Sequence, residues 1–132
     1  MKIFWSWQSD TPGNIGRHFV KASLEAALKE LNQEPTFEES DRPDRFELDH
    51  DRKGVAGSPD LAVTILKKIE DSKIFVADVT PVGKTDDGKK AILNPNVAIE
   101  LGYSLATVGD GGLLMVLNSH YGDRESLPFD LR

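Results

Sequence analysis

The stretch Ile74-Phe75-Val76-Ala77-Asp78 decides the fold class of this chain. Its four consecutive apolar residues are typical of a short strand that is covered on both faces. Two further apolar runs, Ile3-Phe4-Trp5 and Leu113 to Leu117, have the same character. Strands of this kind belong mainly to parallel sheets with helices on each side, so the three runs predict an α/β fold.

Helical patterns separate these runs. Apolar residues repeat at helical spacing from Asn14 to Leu31 and again from Leu61 to Ile69. A weaker strand is predicted over Arg45–Leu48, and residues 83–90 are predicted to be a loop. The order β-α-β-α-β-α-β predicts a flavodoxin-like, three-layer fold with a central parallel sheet and helices on both faces.

A third helix is predicted to start at Asn94. Asn94 is a good N-cap residue, and Pro95 then falls at the first helical position, where its missing N–H costs nothing. We expect this helix to run to about Ala106 or Val108. Its predicted anchoring stripe consists of Val97, Leu101 and Leu105.

Glu100 is the candidate functional residue of this helix. Asn96 and Tyr103 lie on the same helical face as Glu100, away from the apolar stripe. A carboxylate beside an amide and a phenol, on a helix anchored in the core, is typical of a sugar-binding or catalytic group. The alternative is a solvated surface glutamate that simply favours the N-terminal half of a helix.

Length and composition bound the function. The 132 residues suit one domain, residues 1–132, and the last residues lack a closing element, so we expect a domain cut from a longer chain. A net charge of −6 makes nucleic-acid binding an unexpected main function. The absence of cysteine excludes disulfides and thiol catalysis and fits a cytoplasmic protein. The sequence contains no apolar run of membrane-spanning length, so no membrane partner is predicted.

Polar segments follow the predicted strands. They are Ser6 to Asp10, Asp49 to Ser58, and Asp78 to Thr80 together with the helix start at Asn94. Ligands of open parallel sheets bind beyond the carboxyl ends of the strands, so we expect these segments to converge on one site.

Several site classes lack their motif. There is no Gly-x-Gly-x-x-Gly, no phosphate-binding Gly-x-x-x-x-Gly-Lys and no Gly-x-Ser-x-Gly. The three histidines have no metal-ligand spacing, and no metal site is predicted. Asp49, Asp51 and Asp78 could bind Mg²⁺ as in phospho-receiver domains, but Trp5 and Ser6 stand where those domains need an acidic pair.

Three segments resemble Toll/interleukin-receptor (TIR) domains. Residues 3–10, Ile-Phe-Trp-Ser-Trp-Gln-Ser-Asp, resemble the first signature box, although Trp7 stands where Tyr is common. Residues 48–76 resemble the second box with its BB loop, helix and central strand. Asn96-Val-Ala-Ile-Glu-Leu-Gly102 is similar to the Glu-bearing helix of bacterial TIR-like effectors and of nucleoside 2-deoxyribosyltransferases. The resemblance also implies a final strand and helix, which we expect to be truncated or absent after Leu117.

The resemblance implies an NAD⁺ glycohydrolase that cleaves the nicotinamide–ribose bond, as an effector or signal generator in bacterial anti-phage defence. Glu100 would be catalytic, NAD⁺ would be the substrate, and no cofactor is implied. The resemblance also implies self-association through residues 51–58. The substrate-binding residues would be Ser6, Trp7, Gln8, Arg17, Arg52 with its neighbour Lys53, Asp78, Asn96 and Tyr103.

Two other functions stay open. A deoxyribosyltransferase would use Glu100 as a covalent nucleophile and pass the sugar to a second base. A non-catalytic adaptor would use the fold only for association between TIR domains or for nucleotide binding.

Overall fold

The chain folds into alternating strands and helices, in a computed structural model that describes residues 1–33, 45–50 and 61–128. The strands are β1 (Lys2–Ser6), β2 (Glu47–Asp49), β3 (Ile74–Asp78), β4 (Gly83–Lys84), β5 (Ala91–Ile92) and β6 (Leu113–Val116). The helices are α1 (Arg17–Asn32), α2 (Leu61–Glu70) and α3 (Pro95–Thr107), with 3₁₀ turns at Asp110–Gly112 and Arg124–Ser126.

Four strands form one parallel sheet in the order β2-β1-β3-β6. Phe4 lies opposite Phe75, and Phe75 lies opposite Leu113. Helix α1 packs on one face of the sheet, and α2 and α3 pack on the other. The predicted α/β class is confirmed, and the arrangement is consistent with a flavodoxin-like fold.

The core has two sides because alternate residues of a strand face opposite sides of the sheet. Phe4 and Phe75 lie beneath α2 and α3, fully buried, with their rings stacked and 5.7 Å between centroids. Trp5 and Val76 lie on the other face and pack with Leu28 of α1. Both faces of β1 and β3 are therefore covered, which explains their continuous apolar runs.

The prediction of a buried strand over Leu113–Leu117 is wrong about burial. Strand β6 pairs with β3 on one side and, within the described ranges, with no strand on the other. Leu114 is 51% exposed and Met115 is 37% exposed. An apolar run predicts a strand but not the position of that strand in the sheet. Here the run forms β6, which is the last strand in the order of the sheet.

The predicted loop over residues 83–90 is confirmed for 85–90 and wrong for Gly83–Lys84, which form β4. The loop connects the two strands of a hairpin, in which β4 pairs antiparallel with β5. Its turn contains Gly88 with φ of 70°, a backbone conformation that favours glycine. Ala91 and Leu93, at the end of the hairpin, are buried and anchor it to the core.

The predicted anchoring stripe of α3 is wrong at its last position. Leu105 is 39% exposed, whereas Ser104 is buried and donates a hydrogen bond from Oγ to the Leu101 carbonyl at 2.7 Å. Positions 97, 101 and 104 lie on one helical face, and position 105 lies at its margin.

Helix α1 and strand β2 start later than predicted. α1 begins at Arg17 rather than Asn14, because residues 12–16 form tight turns. Asn32, the last residue of α1, exchanges two hydrogen bonds with the backbone of Phe46. Phe46 is thereby kept out of the ladder, and β2 runs from Glu47 to Asp49 instead of from Arg45.

Candidate functional site

The start of α3 positions Glu100. The Asn94 side-chain oxygen accepts hydrogen bonds from the backbone N–H of Asn96 at 2.9 Å and of Val97 at 3.2 Å, and Pro95 occupies the first helical position. The predicted cap is therefore confirmed. Val97 is fully buried and fixes the first turn to the core, so the position of Glu100 is set by packing as well as by the cap.

Ser6 holds the carboxylate of Glu100. Its Oγ donates to Glu100 Oε2 at 2.6 Å, and Ser6 itself is 1% exposed. Ser6 is the last residue of β1, on the sheet face that carries α3. A short hydrogen bond from a buried hydroxyl to a carboxylate is charge-assisted, and it limits the orientations that the carboxylate can take.

The loop after β1 is tied to the same helix. Asp10 Oδ2 accepts a hydrogen bond from Asn94 Nδ2 at 2.7 Å. Gln8 is 2% exposed, and its Oε1 accepts from the Asp10 backbone N–H at 2.6 Å while its Nε2 donates to Thr11 Oγ1 at 3.4 Å. These contacts fasten the carboxyl end of β1 to the first turn of α3, so two of the polar segments that were predicted to converge do meet here.

A pocket of about 440 Å³ opens beside Glu100. Its polar lining comes from the β1 loop and the start of α3, and its apolar lining comes mainly from α2. The described residues that line it are Trp7, Gln8, Ser9, Leu61, Ala62, Ile65, Leu66, Asn94, Asn96, Ile99 and Glu100. A mixed lining of this size suits a small organic ligand with an aromatic and a hydroxylated part.

Trp7 supplies an aromatic surface at this pocket. The Arg17 guanidinium lies 5.9 Å from the centre of its ring, within cation–π range. Trp5 packs against Trp7 from within the core, with 6.2 Å between ring centroids. The indole is thus held in place by contacts with Arg17 and Trp5.

The structure brings together five of the predicted site residues. Glu100, Trp7, Gln8 and Asn96 line the pocket, and Ser6 is hydrogen-bonded to Glu100. Arg17 does not line the pocket and contacts it through Trp7.

Two predicted residues are placed elsewhere. Tyr103 donates its hydroxyl to Glu70 on α2, a hydrogen bond that raises the pKa of the phenol, and it does not line the pocket. Asp78 lies on the opposite face of the sheet, where it lines a second cavity. Arg52, Lys53 and the loop 51–58 fall outside the described residues.

Asp49, a candidate Mg²⁺ ligand in the sequence, carries a different contact. Lys68 Nζ lies 3.1 Å from Asp49 Oδ1 and donates to the His50 carbonyl at 2.9 Å. Both side chains of the ion pair are largely buried, so the end of β2 is fastened to α2 rather than presented to a ligand.

Sequence reasoning missed Asp10 and the apolar wall. The sequence predicts Asn94 as a helix cap, in which its Oδ1 accepts hydrogen bonds from the helix backbone. Its Nδ2 is then free to donate to another acceptor, and a nearby carboxylate such as Asp10 could have been sought on that ground. From the sequence, the apolar residues Leu61, Ile65 and Leu66 were assigned to the core. Helical spacing shows that they share a face, but it does not show whether that face packs in the core or lines a pocket.

The sequence matches no family model and no curated protein. None of the helices described is long and apolar enough to cross a membrane.

Asn94→Ala is expected to lower the free energy of unfolding by about 1–2 kcal/mol, because it removes the helix cap and the bond to Asp10. Chemical denaturation checks this. Asn96→Ala, on the exposed side of the same turn, is the control and should stay within about 0.5 kcal/mol of the parent. Equal losses in the two variants would contradict the capping role.

Proposed function

We propose that the chain is a TIR-like NAD⁺ glycohydrolase that cleaves the nicotinamide–ribose bond. The observation that supports this most is the Glu100 carboxylate, held by Ser6 at 2.6 Å beside a pocket with an aromatic wall. The resemblance of residues 3–10, 48–76 and 96–102 to TIR domains supports the same reaction, and a role in bacterial anti-phage defence rests on that resemblance alone.

Glu100 would act on the developing charge of the sugar. The bond from C1′ of ribose to the pyridinium nitrogen breaks, and neutral nicotinamide leaves with the bonding electron pair. Positive charge grows at C1′ and on the ring oxygen, and a fixed carboxylate stabilises it electrostatically. Water then adds to C1′, which gives ADP-ribose and one proton.

The remaining contacts would orient the substrate. Trp7, supported by Arg17, offers a face on which nicotinamide or adenine stacks. Asn96, one turn before Glu100, offers an amide to a ribose hydroxyl. Cytoplasmic location is part of the proposal, because NAD⁺ is an intracellular substrate and the chain contains no cysteine.

One observation favours the second candidate, a nucleoside 2-deoxyribosyltransferase. None of the described residues that line the pocket carries a positive charge, and a nucleoside, unlike NAD⁺, has no phosphate to neutralise. Glu100 would then attack C1′ and form a covalent glycosyl intermediate.

A mixed-substrate experiment separates the two candidates. The protein is incubated with NAD⁺, thymidine and free adenine together, and the products are separated by chromatography and identified by mass. The proposal expects nicotinamide and an ADP-ribose product, with thymidine unchanged. Deoxyadenosine and thymine, with NAD⁺ unchanged, would overturn it in favour of the transferase.

Self-association through residues 51–58 is part of the proposal, because the resemblance implies that a neighbouring subunit completes the site. We therefore expect nicotinamide release per subunit to rise with protein concentration, as mass action requires for an active oligomer. Turnover is measured from dilute protein to the highest soluble concentration, with the oligomer size determined by sedimentation at each step. Constant turnover by a proven monomer would contradict this expectation.

A further inference from the structure

Asp78 is a buried carboxylate that the proposed reaction does not use. It is 3% exposed at the carboxyl end of β3 and faces the α1 side of the sheet, away from Glu100. Its Oδ1 accepts a hydrogen bond from the backbone N–H of Thr80 at 3.0 Å. Asparagine could accept the same hydrogen bond through its side-chain oxygen. The turn therefore does not explain why a charged residue is buried at this position.

A trough of about 530 Å³ lies in front of Asp78. Its apolar walls come from α1 on one side and from the end of β6 on the other, and they include Phe19, Val20 and Val116. Phe19, one of the lining residues, is 63% exposed. Size and lining both fall in the range of small-molecule sites.

Thr80, which donates its backbone N–H to Asp78, also lines the trough. Thr80 is 4% exposed, and its Oγ1 accepts from the Asn118 backbone N–H at 3.0 Å, which fastens β3 to the segment after β6. Among the described residues that line the trough, Asp78 is the sole charged one. A carboxylate removed from water is costly unless a positive charge or several donors accompany it.

We propose that this trough binds a small organic cation, an ammonium group on an apolar body, with the ammonium on Asp78 and the apolar body along Phe19 and Val20. The site is separate from the Glu100 pocket, on the other face of the sheet, and its existence does not depend on the proposed reaction. The two sites share the loop after β1, since Gln8 lines the Glu100 pocket and bonds Thr11, which lines the trough.

Binding is tested with 2-phenylethylamine, a cation with an aromatic body, and with its neutral analogue 2-phenylethanol. Both are titrated into the ¹⁵N-labelled full chain and followed by amide shifts in two-dimensional NMR. We expect the amine to bind at least about tenfold more tightly than the alcohol, as one charge-assisted hydrogen bond allows. The largest shifts are expected at Phe19, Val116 and Asn118.

Asp78→Asn provides the matched variant, because asparagine keeps the Oδ1 acceptor for the Thr80 N–H and removes the charge. It should abolish the preference for the amine and leave the weak binding of the alcohol unchanged. Ser23→Trp, at an exposed lining position, should block both probes, whereas Ala22→Trp, exposed on α1 but outside the trough lining, should block neither.

Three results would overturn the proposal. They are no shifts with either probe at millimolar concentration, equal affinity for amine and alcohol, and an unchanged preference in Asp78→Asn. If Asp78→Asn does not fold, the amine preference of the parent and its loss in Ser23→Trp decide the question.

Discussion

Glu100→Gln is expected to slow nicotinamide release from NAD⁺ by a factor on the order of 10²–10³, while the protein stays folded and its melting temperature falls by no more than a few degrees. Loss of one preorganised electrostatic group has this effect on the rate. Glutamine is nearly isosteric, forms helices equally well, and its side-chain oxygen still accepts the hydrogen bond of Ser6. The acceptor of the Ser6 bond loses its charge, so the expected loss in the free energy of unfolding is about 1 kcal/mol or less.

Glu25→Gln is the control for this variant. Glu25 is an exposed glutamate of α1 that pairs only loosely with Lys21, at 4.0 Å, so its replacement should change neither rate nor stability. A Glu100→Gln protein that melts normally and consumes NAD⁺ at the parent rate would show that Glu100 is not catalytic. A large loss of stability would instead show that Glu100 is a structural residue and contradict the expectation of an intact fold.

Phe75→Ala is expected to lower the free energy of unfolding by about 3–5 kcal/mol, the usual cost of emptying a packed aromatic site. Phe75 is fully buried at the centre of the sheet and stacks on Phe4 at 5.7 Å between ring centroids. The total free energy of unfolding of a domain of this size is about 5–15 kcal/mol, so the variant should be close to unfolding at elevated temperature.

Phe19→Ala is the matched control, since the same side chain is removed from a position that is 63% exposed. The free energy of unfolding of this variant should stay within about 0.5 kcal/mol of the parent value, as for other surface positions. Urea denaturation of both variants measures the difference. Equal losses would mean that Phe75 is not at the centre of the core and would contradict the packing of β1 against β3.

The start of α3 could be predicted because its determinants are local. Asn94 and Pro95 act on backbone groups within three residues, so the sequence alone contains the cap. The central strands were predictable for a related reason, since continuous burial leaves a continuous apolar run in β1 and β3.

The edge position of β6 could not be predicted, because it depends on which strand lies beside it. Leu114 and Met115 are as apolar as the residues of β3, yet 51% and 37% exposed. The hairpin of β4 and β5 was not predicted, for a different reason. Its strands have two residues each, too short for a periodic pattern.

The candidate site was predictable in part, and strand register explains where prediction failed. Ser6 lies opposite Ala77 in the parallel ladder, so Ser6 and Ala77 face the same side of the sheet and Asp78 faces the other. Sequence reasoning placed Ser6 and Asp78 together because both end a strand. A shift of one residue in register separates them, and register is set by pairing across the whole sheet.

The most direct measurement of the central claim is the release of free nicotinamide from NAD⁺ by the purified chain. It is followed by proton NMR at the highest soluble protein concentration, so that any self-association required for activity is present. The proposed function predicts nicotinamide and an ADP-ribose product in equal amounts, at a rate that Glu100→Gln lowers by a factor on the order of 10²–10³. NAD⁺ that remains intact under these conditions would contradict the assignment of this fold and its Glu100 pocket to NAD⁺ cleavage.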